Sequence, residues 1–135
     1  MNALGRHVIL DLQGCRVDLL DDLPFIRESL IEAAISTGAT IVGQTFHKFA
    51  PQGVTGVVAI AESHVCIHTW PEYGYAAVDI FTCGDNFNPH DAVQFIVEKL
   101  HAASHSVTEL SRGILEPAAD DGGQELENAG VHVAR

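Results

Sequence analysis

Apolar positions along the chain alternate between a strand-like and a helix-like period. His7 to Leu12 (HVILDL) is a short apolar-rich run that reads as a strand. Asp21-Asp22-Leu23-Pro24 then carries a helix start signal, with acid near the cap and proline in the first turn. Phe25, Ile26, Leu30, Ile31, Ala34 and Ile35 follow at helical spacing, and Gly38 supplies the stop. Thr40 to Phe49 opens with β-branched residues and predicts a second strand, closed by the turn Pro51-Gln52-Gly53. Val54 to Ala61, Val65 to Thr69 and Tyr75 to Phe81 predict three more strands, the last two joined through Pro71-Glu72-Tyr73-Gly74. Asn88-Pro89 caps a second helix, in which Ala92, Val93, Phe95, Ile96, Val97 and Leu100 are apolar. Ser106 to Leu110 returns as a strand.

The predicted order is β-α-β-β-β-β-α-β. Strands clustered between two helices predict an α+β fold, a two-layer sandwich with both helices on one face of an antiparallel sheet. The other sheet face needs a cover, and so short a chain has little left to supply one. A homodimer packed sheet to sheet, in four αββα layers, is the expected solution. Residues 1–113 read as one domain. From Ile114 onward the period fades, and 114–135 reads as an acidic tail, mobile or loosely packed.

Composition narrows the function classes. With 135 residues, 47% hydrophobic and 19% charged, the chain is globular and one domain in size. The net charge of −11 repels phosphate backbones, so nucleic acid is not an expected partner. No apolar run approaches the ~20 residues of a membrane span, and MNALGRHVILDLQGC does not read as a signal peptide. No membrane partner and a cytoplasmic location are therefore expected. Three cysteines do not make a disulfide framework.

The chemistry is concentrated in residues 62–84, which hold a Ser, two His, two Cys, two Glu, an Asp and a Trp. His64 and His68 have the spacing of metal ligands on a helix, but Val65, Ile67 and Thr69 make the segment a strand. There the two histidines should share a face, with Cys66 turned away. A zinc site wants about three or four convergent ligands, so no metal is expected. A serine hydrolase is equally unsupported, because no G-x-S-x-G elbow surrounds Ser63.

Residues 47–84, HKFAPQGVTGVVAIAESHVCIHTWPEYGYAAVDIFTCG, closely resemble the core of the small prokaryotic S-adenosylmethionine decarboxylases. The family signature ESH-x-x-IHTWPE-x-x-Y-x-x-x-D-x-FTCG is present without a gap, and length and element order fit from about residue 4 to Gly113. The resemblance implies an enzyme that makes its own pyruvoyl cofactor by cutting its chain before a serine. Ser63 would attack the Glu62 carbonyl, turning the Glu62–Ser63 amide into an ester. Elimination would then release residues 1–62, and hydrolysis of the dehydroalanine at 63 would leave ammonia and a ketone on fragment 63–135. His68 would be the base that takes the Ser63 α proton, a task suited to a neutral imidazole. The ketone would hold the substrate amine as a Schiff base. Cys83 would protonate the substrate carbon once carbon dioxide has left.

The resemblance also implies that Phe49 and Trp70 sandwich the adenine and that Glu72 accepts hydrogen bonds from the ribose hydroxyls. Family sites lie at the subunit interface, so these three would face the partner's pyruvoyl group. The family commonly has Ser where this chain has Thr55, whose hydroxyl would hold the cyclic intermediate of the acyl shift. Threonine keeps the hydroxyl and adds a methyl that restricts χ1. Cys66 and Cys15 carry no family role and read as packing residues. The expected activity is decarboxylation of S-adenosylmethionine to the aminopropyl donor of spermidine synthesis. The alternatives are a relative acting on arginine or ornithine with the same cofactor, or an unprocessed, non-catalytic homologue.

Overall fold

A computed structural model describes residues 3–83 and 87–115. Strand β1 (Ala3–Gln13) leads into a single helical turn, α1 (Val17–Leu20), and then helix α2 (Leu23–Ser36). Strands β2 (Thr40–Lys48), β3 (Val54–Ala61), β4 (Ser63–Trp70) and β5 (Tyr75–Thr82) follow, with a 3-10 turn at Pro71–Tyr73 between the last two. Helix α3 (Pro89–Lys99) and strand β6 (Ser104–Ile114) complete the order. The strands form one antiparallel sheet, β2-β3-β4-β5-β1-β6, so the first strand lies between β5 and β6. The predicted elements are present. The addition is α1, four residues long and too short to show a period.

Both long helices begin on side-chain caps that satisfy otherwise unpaired N–H groups. The Asp22 carboxylate accepts from the Phe25 N–H at 3.1 Å, and Asn88 Oδ1 accepts from the His90 N–H at 2.9 Å. Loss of the first cap has a measurable cost. Asp22→Ala is expected to destabilise the fold by about 1 kcal/mol in denaturant unfolding, with no change in chain cleavage.

Five of the six apolar positions predicted for α2 face the core, Phe25 and Ile31 from its margin. Ile26, Leu30, Ala33 and Ala34 are buried and Ile35 is exposed. Ser29 is also buried, which it tolerates because its hydroxyl donates to the Phe25 carbonyl at 2.8 Å. Against this stripe, Ile96 of α3 and Leu100 at its C-cap pack Val8, Leu10, Val58, Val65, Ile67, Val78 and Ile80 from the sheet. Alternate strand residues point the other way, where Ile9 (38% exposed), Val57 (38%) and Trp70 (39%) lie on a face that no element of this chain covers among the described residues. The two-layer α+β expectation therefore holds.

Strand β6 runs to Ile114, one residue past the expected domain boundary. The expected tail lies, from residue 116 on, outside the described residues. Among the described residues, no helix is long and apolar enough to cross a membrane.

Candidate active site

The tight turn from β3 to β4 carries Glu62 and Ser63. In the antiparallel register Ser63 sits opposite Thr82, so Cys83, the next residue on β5's exit, falls beside it. The Ser63 hydroxyl donates to the carbonyl oxygen of Glu62. The Cys83 main-chain N–H donates to Ser63 Oγ at 3.0 Å. Glu62, Ser63 and Cys83 are thus brought together at one end of the sheet, with the serine oxygen against the peptide group that it would attack.

His68 lies elsewhere. Five residues along β4 place it about 16 Å from Ser63 of its own chain. It sits opposite Thr55 on β3, with Thr55 Oγ1 and His68 Nδ1 3.1 Å apart. Trp70 follows on the same face, its ring centroid 6.4 Å from His68 and 5.3 Å from Tyr75. The Tyr75 hydroxyl donates to Asp11 at 2.6 Å, and that acceptor pushes the phenol up to about 12. Phe49 is exposed in the β2–β3 loop, its ring edge-on to His47 at 4.5 Å. Glu72 is exposed in the 3-10 turn just after Trp70. The residues singled out in the sequence therefore form two groups, Glu62–Ser63–Cys83 and Thr55–His68–Trp70, with Phe49 and Glu72 on segments that flank the second.

The open face carries a third cluster that sequence reading missed. Asp79 accepts from or contacts His7 Nε2 at 3.1 Å and His64 Nε2 at 3.2 Å. Their ligand atoms lie within 4.8 Å of one another, the geometry of a possible metal cluster. Arg112, however, reaches His7 Nδ1 at 3.0 Å. A guanidinium can only donate, so His7 holds its proton on Nε2 and donates it to Asp79. A metal on Nε2 would need the opposite tautomer, which leaves two donors facing each other at Nδ1. The cluster reads as a hydrogen-bonded relay across β6, β1, β5 and β4. Only strand pairing joins these positions, and no sequence spacing announces it.

Cys66 requires a correction. The period of two puts residues 64, 66 and 68 on one face, so Cys66 lies with the histidines and opposite Asp79 in register. Burial and the nearby Asp79 charge push its thiol up to about 11. Burial alone does the same for Cys15, also to about 11. Both thiols stay protonated at neutral pH and suit packing. All three cysteines are free of disulfides.

A family model described as S-adenosylmethionine decarboxylase matches residues 6–113. The chain belongs to the S-adenosylmethionine decarboxylase family. It is 53% identical over 117 residues to an S-adenosylmethionine decarboxylase proenzyme of Moorella thermoacetica, covering 87% of this chain and 94% of the relative. Identity to the proenzyme of that name from Clostridium kluyveri is 48% over 120 residues, 89% of this chain and 95% of the relative. The crystal structure of the adenosylmethionine decarboxylase from Aquifex aeolicus superposes with a TM-score of 0.80 at 37% identity, covering 89% of this chain and 99% of that one. The three candidate groups all fall inside the span matched by the S-adenosylmethionine decarboxylase family model.

Proposed function

We propose that this chain is a self-processing, pyruvoyl-dependent decarboxylase acting on S-adenosylmethionine in the cytoplasm, to supply an aminopropyl donor for spermidine synthesis. The observation that carries the reading is the Ser63 hydroxyl on the Glu62 carbonyl, with the Cys83 N–H on Ser63 Oγ. That arrangement fits the making of a pyruvoyl group from Ser63: the nucleophile touches the peptide group to be cut, and one donor fixes its oxygen. Family membership and the proenzyme names of the relatives support it. The pyruvoyl group supplies an electron sink for the bond broken when carbon dioxide leaves. Cys83 stands beside residue 63, where its thiol can return a proton to the substrate carbon. Phe49 and Trp70 offer faces to an adenine ring and a sulfonium cation, and Glu72 offers acceptors to ribose hydroxyls.

His68 is too far from its own Ser63 to take the α proton there. In this reading the work is done across a homodimer, in which Thr55, His68, Phe49, Trp70 and Glu72 of one protomer complete the Ser63–Cys83 end of the other. The uncovered sheet face supports the assembly. The Thr55 hydroxyl, 3.1 Å from His68 Nδ1, would in this reading hold the cyclic acyl-shift intermediate.

Complementation tests the shared site. Ser63→Ala and His68→Ala are each expected to stay uncleaved alone. Coexpressed, they should yield mixed dimers in which the His68→Ala chain is cleaved, because its Ser63 meets an intact His68 on the partner. Absence of cleavage in a demonstrated mixed dimer would place the site within one chain. The substrate is tested by carbon dioxide release from a panel of S-adenosylmethionine, arginine and ornithine. Release from S-adenosylmethionine alone is expected, and release from either amino acid in its place would overturn the substrate assignment.

A further inference from the structure

We propose that Asp21 is a positioning residue that holds the substrate-binding aromatics Phe49 and Trp70 in register with each other. The inference rests on the proposed reading that these two rings take the adenosine group. Neither ring is fixed by burial: Phe49 is 47% exposed and Trp70 is 39% exposed. Phe49 sits in a loop of Pro51-Gln52-Gly53 type, which has little packing of its own. Something else must fix it if it is to meet a flat ring without a large ordering cost.

The fixing point is the junction between α1 and α2. One carboxylate oxygen of Asp21, Oδ1, takes the Lys48 ammonium at 2.7 Å and the Gly53 N–H at 2.9 Å. These are the two ends of the loop, one residue before Phe49 and four after it. Inside that clamp the Phe49 N–H donates to the Gly53 carbonyl at 2.8 Å. The loop is also pressed against the strand end that carries Trp70. Gly53 has φ +109, and a Cβ there would lie 3.2 Å from the Thr69 carbonyl oxygen. Thr69, buried next to Trp70, donates its hydroxyl to the Leu20 carbonyl at 2.9 Å and accepts the Val54 N–H at 2.9 Å. Leu20 and Asp21 therefore anchor both segments, one through a carbonyl and the other through a carboxylate. The neighbouring Asp22 does a separate job, capping α2. The Lys48 ammonium and the Gly53 N–H hold the Asp21 carboxyl below the usual carboxylate range.

Trp70 is the chain's single tryptophan, so intrinsic fluorescence reports on the slot. The probe is 5′-deoxy-5′-methylthioadenosine, an adenosine thioether without the amino acid part, titrated into the cleaved enzyme. Asp21→Ala is expected to weaken its binding about tenfold, on the scale of a charge-assisted hydrogen bond. KM for S-adenosylmethionine should rise with it, while kcat falls by no more than about threefold and cleavage is unchanged. Asp21→Asn keeps an acceptor for Gly53 and should lose about half as much on the logarithmic scale. Lys48→Met leaves the Gly53 contact and gives a second, milder variant should Asp21→Ala fold poorly. Phe49→Ala is the control. If it weakens binding and the Asp21 and Lys48 variants do not, the positioning role is wrong and the aromatic slot stands. If Phe49→Ala binds normally, the slot reading fails and takes the inference with it.

Discussion

Ser63→Ala is expected to remain one uncleaved chain and to release no carbon dioxide from S-adenosylmethionine. The hydroxyl removed is the one that donates to the Glu62 carbonyl. Alanine can neither form the ester nor supply a leaving group for the elimination that follows, so cleavage should fall to zero rather than slow down. The fold should survive. The variant leaves the Cys83 N–H without its acceptor, a loss of about 1 kcal/mol at a half-buried site. Electrophoresis after long incubation, beside the wild type, reads the result. Cleavage of the variant at the same bond would disprove the acyl-shift route.

Cys83→Ala is expected to cleave and then fail in turnover. Its bond to Ser63 Oγ is made by the main-chain N–H, which alanine retains, so the processing geometry is kept. The thiol is what disappears. Without a placed proton donor, turnover should fall by about a hundredfold or more. A proton that reaches the fragment's carbon instead of the substrate's would, after hydrolysis of the Schiff base, leave the substrate's nitrogen on fragment 63–135 as an alanine-like amine and release the rest of the substrate as an aldehyde. Activity should therefore decline with each round of substrate, and the mass of that fragment should shift in step. Cys66→Ser is the comparison. Its side chain lies opposite Asp79 on the open face, away from the Ser63–Cys83 pair, and the variant should cleave and turn over nearly as wild type. A cleaved Cys83→Ala enzyme with normal turnover and a stable ketone would remove Cys83 from the mechanism.

The elements were legible because they rest on local signals. Asp22 and Asn88 cap, Gly38 stops, and from Val54 to Thr82 the strands alternate between buried and more open positions, apart from the start of β4. What local signals could not give was which strands pair. The insertion of β1 beside β5 brings His7 against Asp79, 72 positions apart, and creates the His7–Asp79–His64 relay. Ile35 is exposed at the edge of the apolar stripe of α2, while Ala33, Ala34 and Ser29 fill the close-packed side. The period of two itself puts Cys66 on the histidine face, opposite Asp79. At the site, Ser63 and Cys83 were legible together through the motif, whereas the separation of His68 from Ser63 needed the length of an extended strand. Asp21 read as part of a helix start, since only the folded loop shows that it faces Lys48 and Gly53.

The central claim is that this chain cuts itself between Glu62 and Ser63 to make its own cofactor. Denaturing mass spectrometry of the purified protein tests it most directly. The account predicts two species, residues 1–62 ending in a free carboxylate and residues 63–135 beginning with a ketone in place of an amine, the second losing its carbonyl on borohydride reduction. A single uncut chain of 14.5 kDa under conditions where the protein is folded would contradict it.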